Sequence, residues 1–293
     1  MRNEVRWERM FVDEIEAAFA ACPVAYLPYG LCEPHGPQNA LGCDGLRAHA
    51  FTCRAAELHG GVVAPPMYWN VHEQGLYATW GEAVIGQRTP WLTALPPAMF
   101  LKNILYHVRT CENWGFKTIV VFSGHSGPHA QDVKQLQEVL QPHFAARLVF
   151  LLDGDFPEVW VGSAGHGGAV ETAMLWAAHE DCTDLSRLPE PGAPGPHFAM
   201  GADAAQASLR RGQEIIEEIG DRMGRLAAEA LAEFDRLSPE RRFLTYENVE
   251  EIWAESVEPL VKDFESMQPL VEGQQPPPEG SLWRRNWAPP RKW

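Results

Sequence analysis

The chain has 293 residues, 45% hydrophobic and 22% charged, the make-up of a globular protein with one sizeable α/β core, which argues against a disordered or membrane-buried chain. A formal net charge of -15, from 24 Lys and Arg against 39 Asp and Glu, argues against a nucleic-acid partner, because tracking phosphates needs clustered cations. No run approaches the roughly 18 apolar residues of a membrane span, the first ten residues are too charged for a secretory leader, and the six cysteines form no Cys-x-x-Cys pair, so reduced thiols in a cytoplasm are expected.

In chain order, residues 4–21 carry Trp7, Met10, Phe11, Ile15 and Phe19 among charges and are predicted as an amphipathic helix. The apolar run from Val24 follows as a buried strand that stops at Pro28 and Gly30. Glu33, His35 and Asp44 come next. One residue separates Glu33 from His35, so in an extended segment both side chains point the same way, and the Pro and Gly residues before Asp44 let the loop fold back. Two carboxylates and an imidazole suit zinc, manganese or iron better than calcium. Cys32 and Cys43 sit beside these residues and read as small apolar filler.

Residues 45–59 have helical spacing with Gly60-Gly61 as the stop, and 62–66 read as a second short strand. The loop after it holds Tyr68, Trp69 and His72, the last expected to be structural or to face a substrate. Residues 91–114 look helical, and 117–122 form a β-branched strand ending in Ser123-Gly-His125. A helix over 130–140, a strand over 147–152 and Asp153-Gly-Asp155 repeat the layout. A Gly-rich loop with His166 then leads into an apolar helix whose first turn holds Glu171. After a Pro- and Gly-rich linker, residues 204–237 read as one long amphipathic helix with a break near Gly220 or Gly224.

Strands alternating with helices predict an α/β fold, a three-layer α/β/α sandwich on a mostly parallel sheet, with sites beyond the carboxyl ends of the strands. Beyond Pro239 the chain changes character: 240–272 is acidic and weakly helical, and Gln275 is followed by three prolines. The tail then sets Trp283, Trp287 and Trp293 beside Arg284, Arg285, Arg291 and Lys292. The expected organisation is a body over 1–238 and an extension over 239–293, the cationic tail docking on an acidic surface of its own or a neighbouring subunit.

Taken together, three ordered motifs resemble the creatininase family: Gly30-Leu-Cys-Glu33-Pro-His35-Gly36 with Asp44, then Ser123-Gly-His125-Ser-Gly-Pro128, then His166-Gly-Gly-Ala-Val-Glu171-Thr172. The resemblance covers roughly residues 5–237. It implies two divalent metal ions per chain, zinc foremost, with manganese or iron as alternatives. Glu33 and His125 would hold one ion, His35 the other, and Asp44 would bridge them. A Glu found two residues after the second-motif His in creatinine amidohydrolase is replaced here by Gly127, so the resemblance hands that role to Glu171. Ser123 and Pro128 stand where the family has Asn, Ala169 where it has Glu, and the side chains that would cage creatinine before His166 are not recognisable, which makes creatinine a poor substrate guess.

The implied function is hydrolysis of a small cyclic substrate, an amide-type C–N bond first and a cyclic polyol ketone or lactone second. A non-catalytic, metal-stabilised assembly or binding protein is the reading from another class. Five ligands with Asp44 shared give each ion three protein contacts and leave room for water and substrate, so His166 is expected to be catalytic rather than a ligand. The resemblance also implies a homo-oligomer, usually a hexamer.

Overall fold

The computed structural model describes residues 4–72, 85, 91–127, 129–267 and 279. Part of the His72 to Gly75 loop, Pro128, the proline linker and the Trp/Arg tail lie outside the described residues. Among the described residues, four strands, β1 (Val24–Tyr29), β2 (Val62–Val63), β3 (Thr118–Ser123) and β4 (Arg147–Leu152), form one sheet in the order β2-β1-β3-β4. Every pairing is parallel, with Val24 opposite Thr118 and Thr118 opposite Arg147. The strands are apolar on both sides because both faces are covered.

Alternation along each strand sorts the core into two layers. Tyr26, Val120 and Phe122 point to one face, against α2 (Cys43–His59), α5 (Ala169–Ala178) and α6 (Leu209–Leu237), through Phe51, Met174 and Ile219. Leu27, Val121 and Phe150 point to the other, against α3 (Pro97–Trp114) and α4 (Ala130–Leu140), through Leu101, Leu105 and Leu136. The sequence expectation of a three-layer α/β/α sandwich holds.

Two expectations need correction. Residues 4–21 are not one helix but a short turn, Trp7–Arg9, followed by α1 (Val12–Ala21). The long helix α6 starts at Leu209 and runs unbroken through Gly220 and Gly224. Those glycines are there for close packing: a Cβ on Gly220 would lie 2.7 Å from Arg54 Cγ, and one on Gly224 2.2 Å from His59 Cδ2, so α6 could not lie against α2.

The segment after Pro239 joins the second layer. Through α7 (Tyr246–Ile252), a π-turn over Trp253–Val257 and α8 (Glu258–Val261), it buries Leu244, Val249, Trp253, Val257 and Phe264 against α3 and α4. Asp132 of α4 accepts the backbone N–H groups of Glu265 and Ser266 at 2.6 and 3.1 Å, and Arg109 of α3 donates to the Leu244 carbonyl at 2.8 Å. Among the described residues, no helix is long and apolar enough to cross a membrane.

Candidate metal centre

The carboxyl ends of β1, β3 and β4 open on one edge, and the chain crowds its ionisable side chains there. The loop after β1 carries Glu33 and His35, the turn after β3 carries His125, and the end of β4 carries Asp153. Asp44 enters from the first turn of α2, which is pressed against the strand ends. Only glycine permits that approach: a Cβ on Gly30 would lie 2.2 Å from Gly45 N, and one on Gly124 2.5 Å from Asp44 O. The third motif is tied to the first by Thr172, whose hydroxyl accepts from Gln38 Nε2 and Asn39 Nδ2 at 3.1 and 2.9 Å. Asp203 accepts from the N–H groups of Ala164 and Ala169, fixing the loop that starts α5 and sets Glu171 in place.

All five residues named as metal ligands, Glu33, His35, Asp44, His125 and Glu171, are buried and meet here. His125 Nδ1 lies 3.0 Å from Glu33 Oε1 and 3.2 Å from Asp44 Oδ2. These spacings are close to the edge of about 3.3 Å expected between donors sharing one ion at about 2.0 Å. His35 Nε2 lies 3.0 Å from Asp44 Oδ1, 3.5 Å from Glu171 Oε2 and 4.0 Å from Glu33 Oε1. Asp44 thus offers one oxygen to each imidazole. Among the described residues, three donor groups have atoms within 4.8 Å of one another: Glu33 with Asp44 and His125, Glu33 with His35 and His166, and His35 with Cys43 and Asp44. Glu171 belongs to none of them.

Hydrogen bonds fix which ring nitrogen faces the cluster. His35 Nδ1 lies 3.0 Å from the Glu33 carbonyl, His125 Nε2 3.2 Å from that of Val71, and His166 Nε2 2.8 Å from that of Pro34. A carbonyl only accepts, so each of these nitrogens carries the proton and a neutral ring turns its lone pair toward the carboxylates. Lone pairs facing carboxylates need a cation between them. Glu33 Oε1, His35 Nε2 and Asp44 Oδ2 are buried and lack a hydrogen-bond partner among the described residues, so the residues present fit a divalent ion.

With no ion, protons take that role. Burial would lower His35, but Asp44 and Glu171 override it and push the ring up to about 10. Burial likewise opposes His125, and Glu33 and Asp44 raise it to about 10. Against the opposing effect of burial, His125 and His166 hold Glu33 well below the usual carboxylate range. Burial pushes the Cys43 thiol well above its ordinary value, which keeps it protonated and suits the filler role expected of it.

The main residue that sequence reasoning missed is Arg47. Its side chain is fully buried, and Nη2 donates to Asp44 Oδ1 at 3.0 Å, Glu171 Oε1 at 2.9 Å and the Gly124 carbonyl at 2.6 Å. Nη1 donates to Asp153 Oδ2 at 3.1 Å. The signal was its place one helical turn after Asp44, on the same face of α2. Asp153 is engaged by this guanidinium. Burial raises its pKa first, Arg47 opposes, and Glu171 and Asp44 add to the rise, to about 7. His129 lies behind the site with Nε2 3.0 Å from Ser123 Oγ, and Asp155 pairs with Lys134 at 2.6 Å. His72 Nε2 lies 3.0 Å from Glu33 Oε2 and orients that carboxylate.

The cluster lies in a cavity of about 390 Å³, lined by Glu33, Asp44, His125 and Glu171 together with Trp160 and His166. That is the lower end of the size range for small-molecule sites. His166 is partly exposed, stacks on His35 with ring centroids 4.1 Å apart, and holds Nδ1 3.9 Å from Glu33 Oε1. Trp160, not singled out in the sequence, supplies the cavity's aromatic wall.

Comparison with known proteins agrees with this picture. A creatinine amidohydrolase from Pseudomonas putida is 26% identical over 248 residues, covering 73% of this chain and 91% of that protein. A creatininase structure described as the Mn form superposes with a TM-score of 0.58 at 24% identity, covering 79% of this chain and 99% of that one. A mutant creatininase of Zn-Zn type gives 0.58 at 24% identity, covering 79% and 98%. These structures show the shared fold. Residues 8–227, most of the sequence, match the creatininase family, described as creatinine amidohydrolase, and the chain therefore belongs to that family.

Proposed function

We propose that the protein is a metal-dependent hydrolase of a small cyclic substrate, cleaving an amide-type C–N bond. The observation that carries this is the buried set of imidazole nitrogens and of carboxylate oxygens without a partner among the described residues, at the wall of a small cavity. Glu33, Asp44 and His125 would hold one divalent ion, and His35, Asp44 and Glu171 a second, with zinc or manganese the first choices. A bound ion supplies Lewis acidity to the scissile carbonyl and lowers the pKa of water toward neutrality.

The chain's own residues do the rest. His72 holds the second oxygen of Glu33, leaving Oε1 for the ion. Trp160 offers a face on which a flat ring packs. His166, its Nε2 proton committed to the Pro34 carbonyl, presents Nδ1 to the cavity, where it accepts a proton from the attacking water and returns it to the leaving nitrogen. A cytoplasmic homo-oligomer, a hexamer by family resemblance, belongs to the same proposal.

The test is direct. Purified protein reconstituted with Zn²⁺ or Mn²⁺ is offered cyclic amides, creatinine among them, and separately lactones and cyclic polyol ketones, with amine and acid release followed independently. Chelator-sensitive amine release is the expected result. Acid release from lactones alone moves the assignment to the second substrate class. Bound metal with no turnover of either class supports the assembly-protein alternative.

A further inference from the structure

The two ion positions do not have equal surroundings. One nitrogen of Arg47 already bridges the two carboxylates that the second ion would need, Asp44 through Oδ1 and Glu171 through Oε1. The other oxygen of Glu171 accepts the Gly167 N–H at 2.6 Å, so both of its oxygens have partners. The guanidinium is held by Asp153 at Nη1 and by the Gly124 carbonyl at Nη2 and has no exposure to solvent through which to swing away. Asp153 balances its charge but sits on the far nitrogen, so the near nitrogen still faces the second position. An ion arriving there meets a fixed positive charge in a medium that screens poorly.

The first position is different. Glu33 Oε1 and Asp44 Oδ2 have no hydrogen-bond partner among the described residues, and His125 Nδ1 faces them both. We propose that Arg47 acts as a fixed internal cation at the second position, so that the chain retains one divalent ion, between Glu33, Asp44 and His125, and takes up another only at high free metal. This rests on the reading of the cluster as a metal centre. Arg47 is a positioning residue in this scheme: it holds Asp44 and Glu171 without touching substrate, and it sets how many ions the site keeps.

The experiment is equilibrium dialysis of the full chain against buffered free Zn²⁺, followed by elemental analysis per chain, for wild type, Arg47→Met and the double variant Arg47→Met/Asp153→Asn. The double variant replaces the buried ion pair with neutral groups, which keeps the test available if the single change leaves Asp153 too poorly compensated to fold. The expected result is one retained zinc in wild type and two in the variants, second-ion affinity rising on the order of 10- to 100-fold, the usual reach of a residue behind a metal ligand. Two zinc ions of matching affinity in wild type overturn the proposal, as does an unchanged second affinity in folded variants. No zinc in wild type at any concentration overturns the metal centre itself, and is told apart from those outcomes by the empty first position.

Discussion

Asp44→Asn isolates the charge at the centre of the site, because the amide keeps the shape of the carboxylate. In the metal-free protein the change removes one of three carboxylate partners of Arg47. At an effective dielectric near 20, a charge pair 3.0 Å apart is worth about 5 to 6 kcal/mol in gross Coulomb energy. Glu171 and Asp153 keep similar contacts at 2.9 and 3.1 Å, so the guanidinium stays compensated. Repulsion between Asp44 and Glu33 is relieved as well. The net cost should be about 1 to 3 kcal/mol, the range for one buried polar partner lost.

The effect on metal should be far larger, since in the proposed centre Asp44 would give one oxygen to each ion position. At free metal about 1,000 times Kd, binding stabilises the native chain by about 4 kcal/mol. For a protein of this size that is about 8 °C in Tm, at about 2 °C per kcal/mol. Calorimetry with and without chelator should therefore show a drop of that order in wild type and none in Asp44→Asn, whose metal content after desalting should be near zero. A variant that keeps its metal and its chelator-sensitive shift refutes the role given to Asp44.

Three further outcomes are expected. His166→Ala should keep its metal while turnover falls on the order of 10² to 10⁴, the worth of a positioned acid or base, and loss of metal instead would make His166 a ligand. Metal binding should release protons: with no ion, His35 and His125 are held up to about 10 and so are protonated at neutral pH, and a ring must lose that proton to coordinate. Calorimetric titration in buffers of different ionisation enthalpy should find about one proton expelled per histidine coordinated, with affinity falling as pH falls. Trp253→Ala should destabilise the whole protein by about 3 to 5 kcal/mol in chemical denaturation, because the indole is buried in the second core layer.

Much of this was legible from residue patterns because the relevant signals are local. The runs over 118–123 and 147–152 are strands covered on both faces, so they carry no polar alternation to confuse the reading. Ligand-type side chains just after such runs fall at the carboxyl edge of a parallel sheet, and the converging loops follow. Arg47 was hidden because an arginine in an amphipathic helix normally marks the solvent face, and only the approach of β3, β4 and α5 encloses it. Gly220 and Gly224 misled for a related reason: helix propensity counts them as breaks, whereas packing against Arg54 and His59 demands them. The segment around Trp253 gave a weak signal because its charge is on the outward face and its partners lie far back in the chain.

That late segment has a consequence for how the protein is made. Leu244, Val249, Trp253, Val257 and Phe264 cover the α3–α4 side of the core, yet they are synthesised after β1 to β4 and after every residue of the candidate metal centre. While the ribosome, adding on the order of 5 to 20 residues per second, works through α6 and α7, a nascent chain that already holds all its proposed ligands still shows a greasy flank to the cell. The interval closes only when Phe264 emerges and Asp132 caps the chain behind it. A nascent-chain chaperone therefore has its clearest target on α3 and α4, and slowing elongation between α6 and Phe264 should raise aggregation more than slowing it anywhere before β4.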